Sequence, residues 1–225
     1  MKKFISTIRF AILLFILNSC TKENSDDGKT YYKFVENDYQ FIINYNYTAN
    51  QVLIYENQNG EKLHFKVISN IAEKTGQYSG GGGLVGSSSS LDYYYDNKII
   101  RIGIVENQNN FREGQVIYNF SKSENIFKNA INFPMINISS SSFFDEIDRP
   151  FNVGLNAFNP ANKTQKVVNG KTFSRVIEFN SNNPAVLNIT SGALTKNVNK
   201  IFYDYDFGII QFEEINGKIW KVKYP

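Results

Sequence analysis

From Tyr31 onward the dominant pattern is an alternation of apolar and polar residues with a period of two, and no long segment carries a strong 3.6-residue period. Such alternation puts successive side chains on opposite faces of a half-buried strand, so it commits the chain to β-structure. Phe41, Ile43, Tyr45 and Tyr47 are expected on one face, with Ile42, Asn44 and Asn46 on the other. Leu63, Phe65 and Val67 alternate with His64 and Lys66. Further strands are expected at 98–106, 115–121, 172–179, 201–206, 209–213 and 218–223. Short helices are expected after Ser121, where Ser121 and Glu124 have capping-box spacing, and over 143–147.

Three Asn-Gly pairs, at Asn59, Asn169 and Asn216, mark tight hairpins, because both residues tolerate positive φ. A two-residue loop at Asn59-Gly60 pairs Ile54 with Phe65 and Val52 with Val67, giving an apolar face. At Asn216-Gly217 the same loop would set Phe212 against Lys221. A three-residue loop with Gly217 in a left-handed bulge pairs Phe212 with Trp220 and Ile210 with Val222, and is preferred. The expected fold is all-β: an antiparallel curved sheet, a sandwich or a partly open barrel built of hairpin meanders. It spans 31–225, with a soft boundary near Arg149-Pro150. A chain of this length buries about 70% of its unfolded surface, enough for a sizeable core.

The first 19 residues are different. Lys2 and Lys3 precede an apolar run from Phe10 to Leu17. At 1.5 Å per residue that run reaches about 12 Å, short of the ~30 Å hydrocarbon core, so it reads as a signal peptide and not a spanning helix. Leu17-Asn18-Ser19-Cys20 follows and resembles the lipobox of bacterial lipoproteins, with Leu three before the cysteine and a small residue just before it. The resemblance implies cleavage before Cys20, attachment of diacylglycerol to its sulfur, and N-acylation. Asn18 departs from the Ala or Ser commoner at that position. Residues 20–30 hold no apolar side chain after Cys20 and are expected to form a flexible tether reaching about 35 Å. Thr21 is not the Asp that in many such lipoproteins retains the protein in the inner membrane, which favours the outer membrane. Ser25-Asp26-Asp27 is similar to short acidic signals that send some lipoproteins to the cell surface. Towards the other terminus, Tyr203, Phe207-Gly208, Ile209-Ile210, Asn216-Gly217 and Trp220 resemble the end of many uncharacterised outer-membrane lipoproteins of Gram-negative bacteria. That resemblance implies a β-meander and no particular activity.

Charge and composition narrow the function. Three of the 24 basic residues lie in the leader, leaving 21 against 21 acidic ones, so nothing electrostatic points to nucleic acid. The single Cys forms no internal disulfide and, once acylated, leaves no thiol for catalysis or zinc. Gly81-x-Gly83-x-x-Gly86 has dinucleotide-fingerprint spacing, but four serines follow where a helix is required, so the stretch reads as a flexible loop. His64, the one imidazole, falls on the polar face of a hairpin. Carboxylates cluster at Asp145, Glu146 and Asp148, at Asp204 and Asp206, and at Glu213 and Glu214. Asp204 and Asp206 share a strand face at about 7 Å, a spacing compatible with glycoside hydrolysis. Tyr93-Tyr94-Tyr95 must present aromatics on both faces of a strand, and exposed tyrosines stack on sugars or anchor proteins. The expectation is a lipid-anchored, non-enzymatic domain at the envelope, needing no cofactor or metal, that binds a ligand, glycan or protein. The alternatives are an anchored hydrolase using paired carboxylates and a purely structural envelope component.

Overall fold

A computed structural model describes residues 22–24, 27–80, 89–107, 114–137, 152–154, 163–181, 190–191 and 193–225, with backbone alone at 22–24, 152–154 and 190–191. The elements are β1 (Lys22–Asn24), β2 (Thr30–Tyr32), one turn of helix α1 (Glu36–Tyr39), β3 (Val52–Glu56), β4 (Lys62–Ser79), β5 (Ser90–Ile104), β6 (Gln115–Ser123), β7 (Ile126–Asn132) and β8 (Asn152–Gly154). They continue with β9 (Thr164–Val168), β10 (Lys171–Asn180), β11 (Thr190–Ser191), β12 (Leu194–Thr195), β13 (Val198–Asp204), β14 (Gly208–Glu214) and β15 (Ile219–Lys223). The fold is all-β. One large sheet runs β8-β7-β6-β5-β4-β3-β15-β14-β13-β10-β9, antiparallel along that path and not closed into a barrel, with β2 and β1 branching from β5. The last strand, β15, pairs with β3, so the two halves of the chain join in a single sheet.

The sheet curls over its own apolar face. The Tyr118 hydroxyl of β6 accepts the Ile209 N–H of β14 at 3.1 Å, and Phe133 beyond β7 meets the Phe212 ring at 5.1 Å. Strands distant in sheet order therefore face each other across a core that includes Phe65, Phe120, Tyr203 and Phe212. At the mouth of this core Ile42, Ile43 and Tyr47 are all buried. The segment around them is not the alternating strand expected, because adjacent Ile42 and Ile43 both turn inward.

Turn chemistry accounts for the registers. Asn169 and Gly170 have φ of 48° and 81°, making a two-residue loop between β9 and β10. At the β14–β15 turn the Gly217 N–H donates to the Glu214 carbonyl and Glu214 N–H to that of Lys218, and Phe212 opposes Trp220, as the three-residue loop requires. The Asn59-Gly60 turn departs from the two-residue expectation. It repeats the bulged design, with Gly60 N–H on the Asn57 carbonyl and Asn57 N–H on that of Glu61. Leu53 thereby opposes Phe65 and Tyr55 opposes Leu63. The one-residue shift turns Leu53 and Tyr55 into the core, and the Asn57 side chain holds the turn by accepting the Asn59 and Glu61 N–H groups.

The helix expected after Ser121 is instead a hairpin. Glu124 and Asn125 take positive φ and Ser123 opposes Ile126. Pairing is favoured there because Lys122 is drawn inward onto Asp38 of α1, their side chains 2.9 Å apart and each only 8% exposed. The second expected helix, at 143–147, lies outside the described residues.

Candidate functional site

β4 and β5 are much longer than the core needs. Leu63, Phe65 and Val67 of β4 are buried, yet nothing from residue 68 to 79 is. On the other side of β5, β6 pairs only as far as Asn97. Beyond that point β2 takes its place, parallel to β5, with Thr30, Tyr31 and Tyr32 opposite Tyr93, Tyr94 and Tyr95. β1 pairs with the far side of β2. The result is a four-stranded arm, in the order β4-β5-β2-β1, that extends past the core.

Tyrosine covers both faces of this arm. On one face Tyr32, Tyr93 and Tyr95 form a row, with ring centroids 5.2 Å apart for Tyr32–Tyr93 and 6.1 Å for Tyr93–Tyr95. The Tyr93 hydroxyl lies 2.9 Å from the Ser123 Oγ. Partial burial, followed by the nearby Tyr93, raises the Tyr95 pKa. On the other face the Lys74 ammonium sits 3.9 Å from the Tyr94 centroid and 4.9 Å from that of Tyr31. Tyr31 donates to Asp96 Oδ1 at 2.5 Å, while Asp96 Oδ2 accepts the Phe34 N–H at 2.8 Å. Tyr94 donates to Asp27 at 3.0 Å, a bond to the neutral phenol that raises its pKa. Gly76 leaves room for Leu91 and Tyr78 to close over it, since a Cβ there would meet Leu91 Cδ1 at 2.8 Å. None of the six tyrosines 31, 32, 78, 93, 94 and 95 is buried, and Tyr78 is 59% exposed. Lys29, Lys33 and Lys74 are interspersed with Asp27, Glu73, Asp92 and Asp96, so the arm carries no strong field of either sign.

The stretch expected to be a free tether is thus partly built into the arm. Lys22–Asn24 is β1, Thr30 opens β2, and Asp27 accepts bonds from Tyr94 and from the Lys29 N–H. A polar segment finds order here through backbone pairing with an existing strand edge, which needs no apolar side chains. Leu17, Asn18, Ser19, Cys20, Ser25, Asp26, the Gly81–Gly86 motif and the carboxylates at 145, 146 and 148 lie outside the described residues.

The other residues singled out by the sequence have structural partners. Asp204 is 2% exposed; its Oδ1 accepts the Asp206 and Phe207 N–H groups at 3.0 Å and its Oδ2 that of Arg175 at 3.2 Å. Burial raises its pKa, against the opposing pull of those N–H bonds. Asp206 is paired with Arg175 at 2.8 Å and accepts from Asn44 at 3.1 Å. The two carboxylates therefore clamp the β13–β14 corner. Glu214 accepts the buried Trp220 indole N–H at 2.6 Å, and Glu213 neighbours Lys200 at 3.7 Å. His64 lies on the outer face as expected, but its Nδ1 is 2.6 Å from Glu106 Oε1, and its backbone N–H reaches Glu106 Oε2 at 2.9 Å. Sequence reading missed that pair, which becomes visible only once β4 and β5 are aligned with Phe65 opposite Ile104. Among the described residues no three His, Cys, Asp or Glu side chains are grouped to hold a metal ion, and no helix is long and apolar enough to cross a membrane.

No protein-family model matches the chain, and neither does any curated protein or solved structure.

Proposed function

We propose that the chain is a lipid-anchored envelope protein whose β domain is a non-enzymatic interaction module, with the tyrosine arm as its contact surface. The observation that carries this reading is the arm itself. Six half-exposed or exposed tyrosines lie on β2 and on the stretches of β4 and β5 that run past the core, where no residue from 68 to 79 or from 90 to 96 is buried. Tyrosine buries a large rigid ring at little entropic cost and keeps a hydroxyl for water or a partner, which is why it concentrates at contact surfaces. Attachment through Cys20 rests on the lipobox resemblance of Leu17-Asn18-Ser19-Cys20. Thr21 supports the outer membrane, and Ser25-Asp26-Asp27 an outward-facing placement. The occupied hydrogen bonds of Asp204 weigh against a hydrolytic use of the Asp204–Asp206 pair.

The test has three arms. Intact mass should show a chain beginning at Cys20 with acyl groups, and Cys20→Ser should leave the detergent phase; an unacylated chain cleaved elsewhere refutes the anchor. The triple variant Tyr32→Ser/Tyr93→Ser/Tyr95→Ser should keep its melting temperature within a few degrees; a loss above about 3 kcal/mol would make the arm a structural element. Proteinase added to intact cells should remove the domain, and Asp26→Ala/Asp27→Ala should protect it; survival of the wild-type domain until the outer membrane is opened places it in the periplasm.

A further inference from the structure

We infer that the arm lies against the headgroup layer of the membrane that carries the anchor, so that its partner is a zwitterionic lipid surface. This rests on the Cys20 attachment proposed above, and it deepens that reading by naming what the arm touches.

The argument starts from chain length. Lys22 opposes Tyr32 in the β1–β2 pair, and Tyr32 opposes Tyr95 in β5. Cys20 thus precedes the arm's edge strand by two residues, which span at most about 7 Å. A free ten-residue tether would have allowed about 35 Å. The headgroup layer is about 5–7 Å thick on each side of the hydrocarbon core. A thioether at glycerol depth therefore sets the start of β1 within the headgroup layer or at its outer boundary. The anchor holds the edge of the arm there.

The surface chemistry agrees with that position. Tyrosine favours the membrane–water boundary, where the ring is sheltered and the hydroxyl stays wet. The Lys33 ammonium lies 5.2 Å from the Tyr31 centroid and that of Lys74 stands over Tyr31 and Tyr94, and long basic side chains reach towards headgroups while their stems cover apolar surface. Interspersed Asp27, Glu73, Asp92 and Asp96 cancel the positive charge, so anionic lipid is not required and contact should resist salt. Tyr78 and Leu91 at the end of the β4–β5 hairpin extend the same surface away from the core.

The two ends of β4 supply the experiment. Ser79 lies at the arm's end and Lys62 at the other, 18 residues inclusive, which at about 3.3 Å per residue places them some 55 Å apart. Both are exposed. With Cys20 acylated, Ser79→Cys or Lys62→Cys provides the sole thiol in the full lipidated chain. Each variant is labelled with a fluorophore and reconstituted in phosphatidylcholine vesicles containing a headgroup-attached quencher. The expected result is several-fold stronger quenching at position 79 than at 62, unchanged in molar salt. Equal quenching at the two positions, with the protein still floating with the vesicles, overturns the placement while leaving the anchor intact and the arm free for a soluble partner. Loss of the difference in salt overturns the zwitterionic partner. Protein that fails to float refutes the anchor, and the placement falls with it.

Discussion

The Asp38–Lys122 pair offers a sharp test of how this β-rich core tolerates charge. Lys122 belongs to β6 at a position where alternation turns its side chain inward, and Asp38 is the buried residue of the one-turn helix α1. The ammonium sits 3.1 Å from Asp38 Oδ1 and 2.9 Å from Oδ2, and Oδ2 also accepts the Val35 N–H at 2.9 Å. Lys122→Met removes the cation but keeps the aliphatic stem, leaving a carboxylate 8% exposed with one N–H for company. Breaking such a pair from one side costs about 3–5 kcal/mol. Asp38→Asn keeps an acceptor for Val35 and strands the lysine instead, at a similar cost. In the double variant no charge remains to be stranded, so its loss should fall well short of the sum, with a coupling of at least about 2 kcal/mol. For a domain of this size 3 kcal/mol lowers the melting temperature by roughly 6–12 °C. Urea denaturation followed by Trp220 fluorescence measures all four corners of the cycle. If Lys122→Met costs under about 1 kcal/mol and the single losses simply add, the pair is solvated and the argument from its burial is wrong.

Other consequences are more local. Burial holds the phenols of Tyr47, Tyr55, Tyr118 and Tyr203 protonated well above their ordinary range, so their stabilisation is intact below about pH 10 and is lost as pH rises, by about 1.4 kcal/mol per pH unit for each. Absorbance at 295 nm should show these four ionising only with unfolding; smooth titration in the folded state would contradict their burial. Gly208 has φ of 101° and a Cβ there would meet Tyr118 Oη at 2.9 Å, whereas Gly60 has only its positive φ to satisfy and open space around it. Gly208→Ala should therefore cost about 2 kcal/mol more than Gly60→Ala in chemical denaturation, and equal losses would refute the close approach. Glu214→Ala leaves the Trp220 indole N–H buried without its acceptor and should cost about 1–3 kcal/mol, checked by the shift of the urea midpoint.

Alternation along 63–67, 115–121 and 172–179 was enough to read the all-β class, because a half-buried strand writes its two faces directly into residue order. The bulged turn at Gly217 and the burial of Trp220 were legible for the same reason: only one loop length brings Phe212 opposite the indole. At Asn59-Gly60 the two-residue loop gave an apolar face with Val52 and Ile54, but the structure faces Leu53 and Tyr55 inward instead. The choice was made by β14, far along the chain, where Phe212 packs on the Tyr55 ring and the Ile209 carbonyl accepts its hydroxyl. Lys122 as the partner of Asp38, 84 positions away, is likewise a fact of the curled sheet and not of either segment. The Asp204–Asp206 spacing was readable, but its purpose was not, since the N–H groups that claim Asp204 include that of Arg175 on another strand. The tyrosine triplet announced aromatics on both faces of β5. That β2 would pair there in parallel, drawing the polar N-terminal stretch onto the arm, depended on the free edge β5 offers beyond Asn97, an edge that exists only after β6 has run out.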